Sequence, residues 1–437
     1  MKRFGLLAAC AAFGCGARTG LPDSRPDAGI PATVDLGCPP GFAECDGEPS
    51  SVCETETASS STDCGGCGTR CESGLFCARG ECVPGDRVAH LALGAFFSCV
   101  ATAAGNVKCW GRNDEGQLGA SVHQPFSAGV VDIADAHDVT QLSADALTVC
   151  ARSSSSSIRC WGARPENAQF APRKLAHVSA GDDAKCVLFS NGEASCWGEN
   201  ACGGLGVGDR ASRSLANMKP ARTDARTLAA GANMACVTMR SGATQCWGNT
   251  GFGAMGNGAP LERIFGGCGT AQPSPALALV PWAAASVEIG GFDTVCAIAT
   301  NGHVACWGYA EEGEFEGIGP NLSPTRPFEL SGVENVADVA LGVYGGCARR
   351  NDGTVLCWGS AHSFDSCGLL ANGGCAEVKG FYEVPGIHDA VEIDAGSSHT
   401  CVLRASGEVW CWGFNGVGQL GDGTTTNRLV PTKVQGL

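Results

Sequence analysis

Basic residues are scarce in this chain and nowhere clustered. Its 437 residues include 29 Lys and Arg against 44 Asp and Glu, which gives a formal net charge of −15. No run of Lys and Arg is longer than two residues, as in Lys2-Arg3. Binding to nucleic acid needs a basic footprint that neutralises phosphates. The charge distribution therefore excludes a nucleic-acid partner.

Catalytic and cofactor motifs are also missing. The eight histidines are scattered, and none forms a His-x-x-x-His or His-Glu-x-x-His pattern. There is no Gly-x-Ser-x-Gly elbow and no phosphate-binding loop. The acidic runs at 311–316 and 422–427 lack the ligand spacing of a calcium loop, so we interpret them as solvated loops. We therefore expect no enzyme, no cofactor and no bound metal.

The apolar segment near the start of the chain, residues 4–13, is too short to span a membrane. Because it follows a basic pair, it has the pattern of a signal peptide. Cys10 and Cys15 each end a candidate lipoprotein cleavage site, and lipidation of Cys15 leaves an even number of cysteines for pairing. The start of the chain resembles a bacterial lipoprotein. We predict a signal peptide over 1–15 and lipidation at Cys15, with Cys10 or simple secretion as alternatives.

The resemblance implies a location and a mode of attachment. Gly16, which follows Cys15, is not the acidic residue that retains such proteins in the inner membrane. We expect an outer-membrane lipoprotein or a secreted, cell-surface protein, attached to the membrane through the lipid anchor alone. Residues 16–37 are rich in Pro, Gly, Asp and Ala without periodicity, which predicts a flexible linker.

Cysteine is present in excess, with 28 residues. Fourteen of them belong to one unit, Cys, nine residues, Cys-Trp-Gly, which occurs seven times. A unit repeated seven times indicates a closed or stacked array. The pairs are Cys99 and Cys109, Cys150 and Cys160, Cys186 and Cys196, Cys236 and Cys246, Cys296 and Cys306, Cys347 and Cys357, and Cys401 and Cys411.

Each unit has the pattern of a β-hairpin. In the last one, apolar and polar residues roughly alternate on both sides of a short loop at 405–407. If Cys401 lies opposite Cys411, Gly407 falls at the loop position that needs a left-handed backbone, where glycine fits best. Directly opposed cysteines on antiparallel strands are close enough to bond. We predict seven hairpin disulfides, and hence an oxidising compartment.

After the first and last hairpins the sequence continues as x-Asn-x-x-Gly-Gln-Leu-Gly, ending at Gly119 and Gly421. Together with Cys-Trp-Gly, this motif resembles the regulator of chromosome condensation repeat family. The resemblance implies an all-β, seven-bladed β-propeller over residues 86–437, with four strands to a blade. We expect the C-terminal segment 429–437 to complete the first blade and so close the ring. Charge and compartment exclude the chromatin and GTPase-exchange roles of that family. His399 stands where the family often carries histidine, and we interpret it as structural.

A small cysteine-rich module precedes the propeller, over 38–83. Its few apolar residues indicate that cross-links replace a core. Residues 63–82 resemble the cysteine-rich stigma-specific protein family. Zinc is the alternative, because Cys64-x-x-Cys67 has ligand spacing, but the even count in an exported chain favours four disulfides of undetermined pairing. The eight cysteines are Cys38, Cys45, Cys53, Cys64, Cys67, Cys71, Cys77 and Cys82.

Four cysteines remain outside both patterns. Cys367 and Cys375 lie in one inserted loop and are expected to pair within it. Cys202 and Cys268 follow the hairpins of successive blades and are expected to join those blades on one face.

The function predicted from these features is that of an exported, membrane-tethered propeller scaffold, which mediates protein–protein interaction at the bacterial cell surface. One alternative is a lectin for carbohydrate or an envelope polymer, although an aromatic content of 7% with three Tyr does not favour it. A second alternative is a polysaccharide-active enzyme, which would need carboxylates or histidines clustered on one face. The sequence names neither the protein partner nor the polysaccharide.

Overall fold

The computed structural model describes residues 37–45, 53, 55–119, 121–263, 267–310, 323–343, 345–359 and 380–437. These residues form seven four-stranded antiparallel sheets and two small two-stranded ribbons. The predicted all-β, seven-bladed propeller is therefore confirmed. The signal peptide, the lipidation sites Cys15 and Cys10, the pair Cys367 and Cys375, and the acidic run at 311–316 lie outside the described residues.

The module contains β1 (Phe42–Ala43), β2 (Thr55–Glu56), β3 (Leu75–Ala78) and β4 (Glu81–Pro84). The first three blades are formed by β5 (Val88–Leu93), β6 (Phe97–Thr102), β7 (Val107–Arg112) and β8 (Phe126–Asp132); by β9 (Val139–Asp145), β10 (Thr148–Ser153), β11 (Ser157–Gly162) and β12 (Glu166–Gln169); and by β13 (Leu175–Ser179), β14 (Ala184–Phe189), β15 (Ala194–Gly198) and β16 (Lys219–Arg222).

Blades four and five are formed by β17 (Ala225–Ala230), β18 (Met234–Met239), β19 (Thr244–Gly248) and β20 (Gln272–Leu277), and by β21 (Ala284–Ile289), β22 (Val295–Ala299), β23 (Val304–Trp307) and β24 (Phe328–Glu329). Blades six and seven are formed by β25 (Val336–Leu341), β26 (Gly345–Arg350), β27 (Val355–Gly359) and β28 (Tyr382–Glu383), and by β29 (Ala390–Ala395), β30 (His399–Arg404), β31 (Val409–Gly413) and β32 (Arg428–Lys433). Short 3-10 turns occupy Leu215–Asn217, Gly251–Gly253 and Gly291–Asp293.

Each cysteine pair lies at the centre of a hairpin formed by the second and third strands of a blade. Cys401 is opposite Cys411, with a Cα–Cα distance of 4.1 Å, and the other six pairs have the same register. Gly407 has a φ of 87° in the loop, as the register requires. The second blade has Ser156 at this position, with a φ of 61°.

The Trp and the Gly-Gln-Leu-Gly turn of the repeat lock neighbouring blades together. The Nε1 atoms of Trp161, Trp247 and Trp307 each donate to a backbone carbonyl in the turn of the preceding blade, at 2.8–2.9 Å. The motif Asn holds that turn in shape, since Asn113 Oδ1 accepts from the amide of Leu118 at 2.8 Å. Both Trp and Leu are buried, so the core is repeated between blades.

The C-terminal strand corrects one prediction. β32 pairs with β31, placing Thr432 opposite Cys411, so it completes the seventh blade and not the first. The strand that follows each hairpin returns along that same hairpin and pairs with its nearest edge, as β24 does with β23. The first blade is complete without it, because β8 supplies its outer strand. The ring closes by packing of β5 against β29 and β30.

The module packs against the face of the propeller where the inner strands begin. Its four disulfides are Cys38–Cys53, Cys45–Cys67, Cys64–Cys77 and Cys71–Cys82. Phe42 and Cys53 join a hydrophobic cluster with Ala176 and Met239 of the propeller. Two ion pairs cross the contact, from Arg79 to Glu392 at 2.9 Å and from Arg152 to Glu56 at 2.7 Å. The module thus covers one end of the central channel.

Candidate functional site

A cavity of about 800 Å³ lies at the other end of the channel, where the inner strands end. Its lining comes mainly from the turns that connect the first and second strands of successive blades. These turns approach one another closely. A Cβ atom on Gly290 would lie 2.2 Å from the Cβ of Leu341, and one on Gly396 would lie 2.2 Å from the carbonyl oxygen of Gly94. Glycine is therefore required where the ring of turns is narrowest.

The cavity carries negative charge. Among the described residues that line it there is no Lys, Arg or His. The lining carboxylates, which come from four different blades, are Asp145, Asp182, Asp183, Glu288, Asp293 and Asp394.

Asp145 is a carboxyl group of the cavity whose ionisation is strongly disfavoured. Burial, and then the neighbouring Asp182 carboxylate, raise the pKa of Asp145 to about 8. Its Oδ1 accepts from the amide of Ala146 at 2.7 Å, whereas Oδ2 has no hydrogen-bond partner. Burial also raises the pKa of Asp182. Full ionisation of this pair is therefore disfavoured in the absence of a ligand.

Asp293 presents a second unpaired oxygen. Its side chain is buried, with 8% of the residue exposed, and Oδ2 accepts from Asn249 Nδ2 at 2.6 Å. Oδ1 has no hydrogen-bond partner. Burial raises the pKa of Asp293 to about 6, and the hydrogen bond from Asn249 opposes that rise. A buried carboxylate oxygen without a donor is unfavourable unless a ligand supplies one.

Aromatic rings lie beside Asp293 at the rim. Phe292 is 56% exposed, and its ring centroid lies 5.3 Å from that of Tyr309. Phe252 also packs against Tyr309, with ring centroids 5.0 Å apart and an edge-on geometry. Both Phe292 and Asp293 have a positive φ, 54° and 62°, which is uncommon for residues other than glycine. Such backbone strain persists where the surroundings impose it, and it clusters at binding sites.

Other polar groups of the channel have a structural role. Glu392 Oε1 accepts from the amide of Leu91 at 3.1 Å, and Asp394 Oδ2 accepts from the amide of Leu93 at 2.8 Å. Ser143 Oγ accepts from the amide of Ala180 in the same way, at 2.9 Å. Each caps the open edge of the next inner strand. Burial, the largest cause, raises the pKa of both Glu392 and Asp394 to about 7.

The structure pairs Cys202 with Cys268, and both residues line the cavity. Cys202 follows β15 of the third blade, and Cys268 precedes β20 of the fourth. The bridge therefore joins two neighbouring blades at the cavity face. Cys64, Cys71 and Cys82 have sulfur atoms close enough to share a metal ion, but each of these cysteines is in a disulfide.

Two further residues singled out by sequence have structural roles. His399 is fully buried, its Nε2 lies 2.9 Å from Ser98 Oγ, and burial lowers its pKa to about 3. In the acidic run at 422–427, the Asp422 carboxylate accepts from Thr424 and Arg428 of the same loop. Asp145 and Asp293 were not singled out by sequence, because they come from different blades and the two turns share no pattern.

Comparison of the sequence with known proteins finds repeats and relatives that agree with the seven-bladed propeller. The model of the regulator of chromosome condensation (RCC1) repeat matches residues 88–117 and 390–419, and a second model of the same description matches 406–437. The human E3 ubiquitin-protein ligase HERC2 is 32% identical over 148 residues, which are 32% of this chain and 3% of that protein. The ultraviolet-B receptor UVR8 of Arabidopsis thaliana is 24% identical over 378 residues, 81% of this chain and 83% of that protein.

Two solved structures share the architecture. Human WBSCR16 superposes with a TM-score of 0.50 at 19% identity, covering 80% of this chain and 82% of that chain. A chain in the crystal structure of Kap60 bound to yeast RCC1 (Prp20) gives a TM-score of 0.50 at 17% identity, covering 80% and 75%. Among the described residues no helix has the length and apolarity needed to cross a bilayer.

Proposed function

Since regulator of chromosome condensation repeats build the propeller of this chain, we propose that it is a non-enzymatic scaffold that binds a protein partner at the bacterial cell surface. The observation that carries the proposal is the acidic cavity with the exposed Phe292 at its rim. A large exposed aromatic side chain beside a concave surface is a usual feature of protein recognition.

The position of the module supports the choice of face. The module covers the end of the channel that contains Glu392, whereas the cavity lies at the opposite end, by Asp394. A tether at Cys15, or at Cys10, would reach the propeller through the linker and the module. The cavity face would then point away from the membrane, with its rim held by the Cys202–Cys268 disulfide.

The lectin alternative receives less support. Sugar recognition commonly uses an exposed Trp or Tyr as a stacking surface. In the part of the chain that the structure describes, no Trp or Tyr is exposed. Trp410 is covered by the guanidinium of Arg404, at 5.4 Å from the ring centroid.

The enzyme alternative is favoured by one observation, the juxtaposition of Asp145 and Asp182. A carboxyl group with a raised pKa beside a second carboxylate is the arrangement that glycoside hydrolysis uses. Release of reducing sugar from envelope polysaccharide, abolished by Asp145→Asn, would support catalysis. If wild-type protein releases no sugar, and Asp145→Asn captures the same protein partner as wild type, the scaffold function is supported.

The first experiment is affinity capture from native envelope and culture medium, using tagged protein and mild cross-linking. Phe292→Asn removes the exposed ring at a position where Asn tolerates a positive φ. Phe126→Asn, at a 40% exposed site on β8, is the matched control. We expect one dominant protein with wild type and Phe126→Asn, and its loss with Phe292→Asn. Recovery of polysaccharide without a dominant protein would contradict the proposal.

A further inference from the structure

Two carboxyl groups of the cavity have an oxygen without a hydrogen-bond donor and no described positively charged partner. Asp145 Oδ2 and Asp293 Oδ1 both lack a hydrogen-bond donor, and Asp293 is more than nine-tenths buried. A buried carboxylate is normally paired with a cation or fully hydrogen-bonded. Among the described residues, no Lys, Arg or His side chain lies within 4.0 Å of either carboxylate. The unmet requirement is therefore for a donor that carries positive charge.

The opposite end of the same channel shows how this requirement is met within the protein. There the module inserts Arg79, whose guanidinium donates to Glu392 at 2.9 Å. Asp394 lies two residues further along the same strand, β29, and faces the cavity. Its oxygens accept from backbone amides of Leu93 and Ala395, and no described cation pairs with it. At the cavity end Arg164 pairs with Asp183 at 3.4 Å, but no described cation pairs with Asp145 or Asp293.

The aromatic residues at the rim suit the same ligand. A cation near the face of an aromatic ring is attracted by the ring quadrupole, more strongly when both are shielded from water. Phe292 offers an exposed ring next to Asp293 in sequence, and the ring of Tyr309 lies 5.3 Å away. Carboxylates and aromatic rings in one concave site favour an ammonium or guanidinium group over a neutral or anionic ligand.

We infer that the cavity binds the side chain of a lysine or arginine that the partner protein inserts from the face opposite the module. This inference rests on the proposed scaffold function. A volume of about 800 Å³ accommodates a long basic side chain together with the flanking backbone. The ammonium or guanidinium group donates to Asp293 Oδ1, its aliphatic stem packs against Phe292, and the Asp145 carboxylate adds to the attraction across the cavity. Charge-assisted hydrogen bonds of this kind are stronger than neutral ones.

The raised pKa values agree with such a ligand. Without a cation, burial keeps Asp145 and Asp293 partly protonated near neutral pH. A bound cation stabilises the ionised form of each carboxyl group. Binding is therefore accompanied by release of protons.

The test uses short blocked peptides on the full-length folded protein. The probes are acetyl-Gly-Arg-Gly-amide, acetyl-Gly-Lys-Gly-amide and acetyl-Gly-Gln-Gly-amide, with binding followed by ligand-observed NMR. We expect saturable binding of the two basic peptides and none of the Gln peptide. Asp293→Asn, which keeps the shape and removes the charge, should weaken binding about tenfold. Asp132→Asn, at an exposed acid on β8, is the control and should leave binding unchanged.

The outcomes separate the inference from the function on which it rests. Equal binding of the Gln and Arg peptides, or equal losses in Asp293→Asn and Asp132→Asn, would overturn the inference. Tighter binding of spermidine than of either basic peptide would overturn the protein source of the cation. If Asp293→Asn captures the same envelope partner as wild type, the scaffold function is supported, and the inference that the partner inserts a basic side chain is contradicted. If wild type captures no protein, the scaffold itself falls.

Discussion

The indole nitrogen of Trp110, in the first blade, donates a 2.8 Å hydrogen bond to the carbonyl oxygen of Gln419, in the seventh. The same carbonyl accepts from Ser98 Oγ at 2.9 Å, and Ser98 also contacts His399. All four residues are fully buried. The seam between the first and last blades is therefore held by side-chain bonds to backbone, without a shared strand.

Replacing Trp110 by Phe tests the seam. An aromatic ring remains, but the five-membered ring of the indole is removed, and the buried Gln419 carbonyl loses one donor while keeping Ser98 Oγ. We expect the free energy of unfolding in urea to fall by about 1–3 kcal/mol, from the lost hydrogen bond together with the small cavity left by the missing ring. Trp410→Phe is the control, because among the described residues its Nε1 contacts only Glu408, two residues earlier in the same hairpin, and the residue is half-buried. Equal stability of Trp110→Phe and wild type would show that the bond contributes nothing.

Removal of the disulfides should affect stability according to the length of chain they close. Cys202 and Cys268 are 66 residues apart, whereas Cys401 and Cys411 are 10 apart. The chain-entropy model gives about 4 kcal/mol for the long loop and about 3 kcal/mol for the short one. Urea unfolding of the two double Ala variants measures both. A smaller loss for the long loop would contradict the model.

The contact between module and propeller depends on Arg79. Arg79→Gln leaves Glu392 without its cation, although the amide of Leu91 still donates to it. Because both side chains are partly exposed, we expect a loss of about 1–2 kcal/mol, below the value for a fully buried pair. A double-mutant cycle with Glu392→Gln isolates the interaction. A coupling energy indistinguishable from zero would mean that the module is held by its apolar contacts.

Stability should decrease between pH 6.5 and 8.5. Burial, the largest cause in each case, raises the pKa of Glu392 and Asp394 to about 7 and that of Asp145 to about 8. A raised carboxyl pKa gives stability that is complete below the unfolded pKa near 4 and is lost as pH rises through the folded value. The free energy of unfolding falls by roughly 1.4 kcal/mol per pH unit for each proton that the folded protein holds and the unfolded chain has lost.

Histidines do not reverse this slope. Burial lowers the pKa of His90 and His399 to about 3 and that of His177 to about 4. Above pH 6.5 they are largely neutral in the folded and unfolded chain alike. Urea unfolding across the window measures the slope, which should be shallower in Asp145→Asn. A free energy of unfolding that increases with pH would contradict the prediction.

Binding of the Arg peptide should strengthen as pH rises from 5 to 8. The carboxyl groups that face the site are Asp145, Asp182, Asp183, Glu288, Asp293 and Asp394. The buried Lys185 acts on Asp145 and Asp182, and Arg164 pairs with Asp183 at 3.4 Å. Ionisation of the carboxylates increases attraction for the guanidinium, while the peptide keeps its charge throughout. Calorimetry in buffers of different ionisation enthalpy measures the proton release. A pH-independent affinity would show that the carboxylates do not take part.

The repeating part of the molecule could be predicted from sequence. Seven identical cysteine spacings, with a glycine such as Gly407 at the loop position, specify one hairpin register because one register alone opposes the cysteines. Trp and the Gly-Gln-Leu-Gly turn recur with them, since the contact between neighbouring blades also recurs. Local patterns therefore determined the blades and their number.

The site could not be predicted in the same way. Asp145 and Asp293 are 148 positions apart and line one cavity only because the second and fifth blades face the same channel. The insertion of Arg79 toward Glu392 likewise depends on how the module docks. The prediction that segment 429–437 completes the first blade is wrong, because a hydrophobic pattern does not tell which of two edges a strand pairs with.

The seam also determines the order in which the molecule can be assembled. Its hydrogen bonds join positions that are 301 to 321 residues apart, whereas each hairpin disulfide closes 10 residues. Local hairpins form rapidly, but closing a loop of several hundred residues carries a larger entropic barrier. Individual blades can therefore form and oxidise on an open arc, and the acidic cavity comes into existence only in the final step, when the two ends of that arc meet.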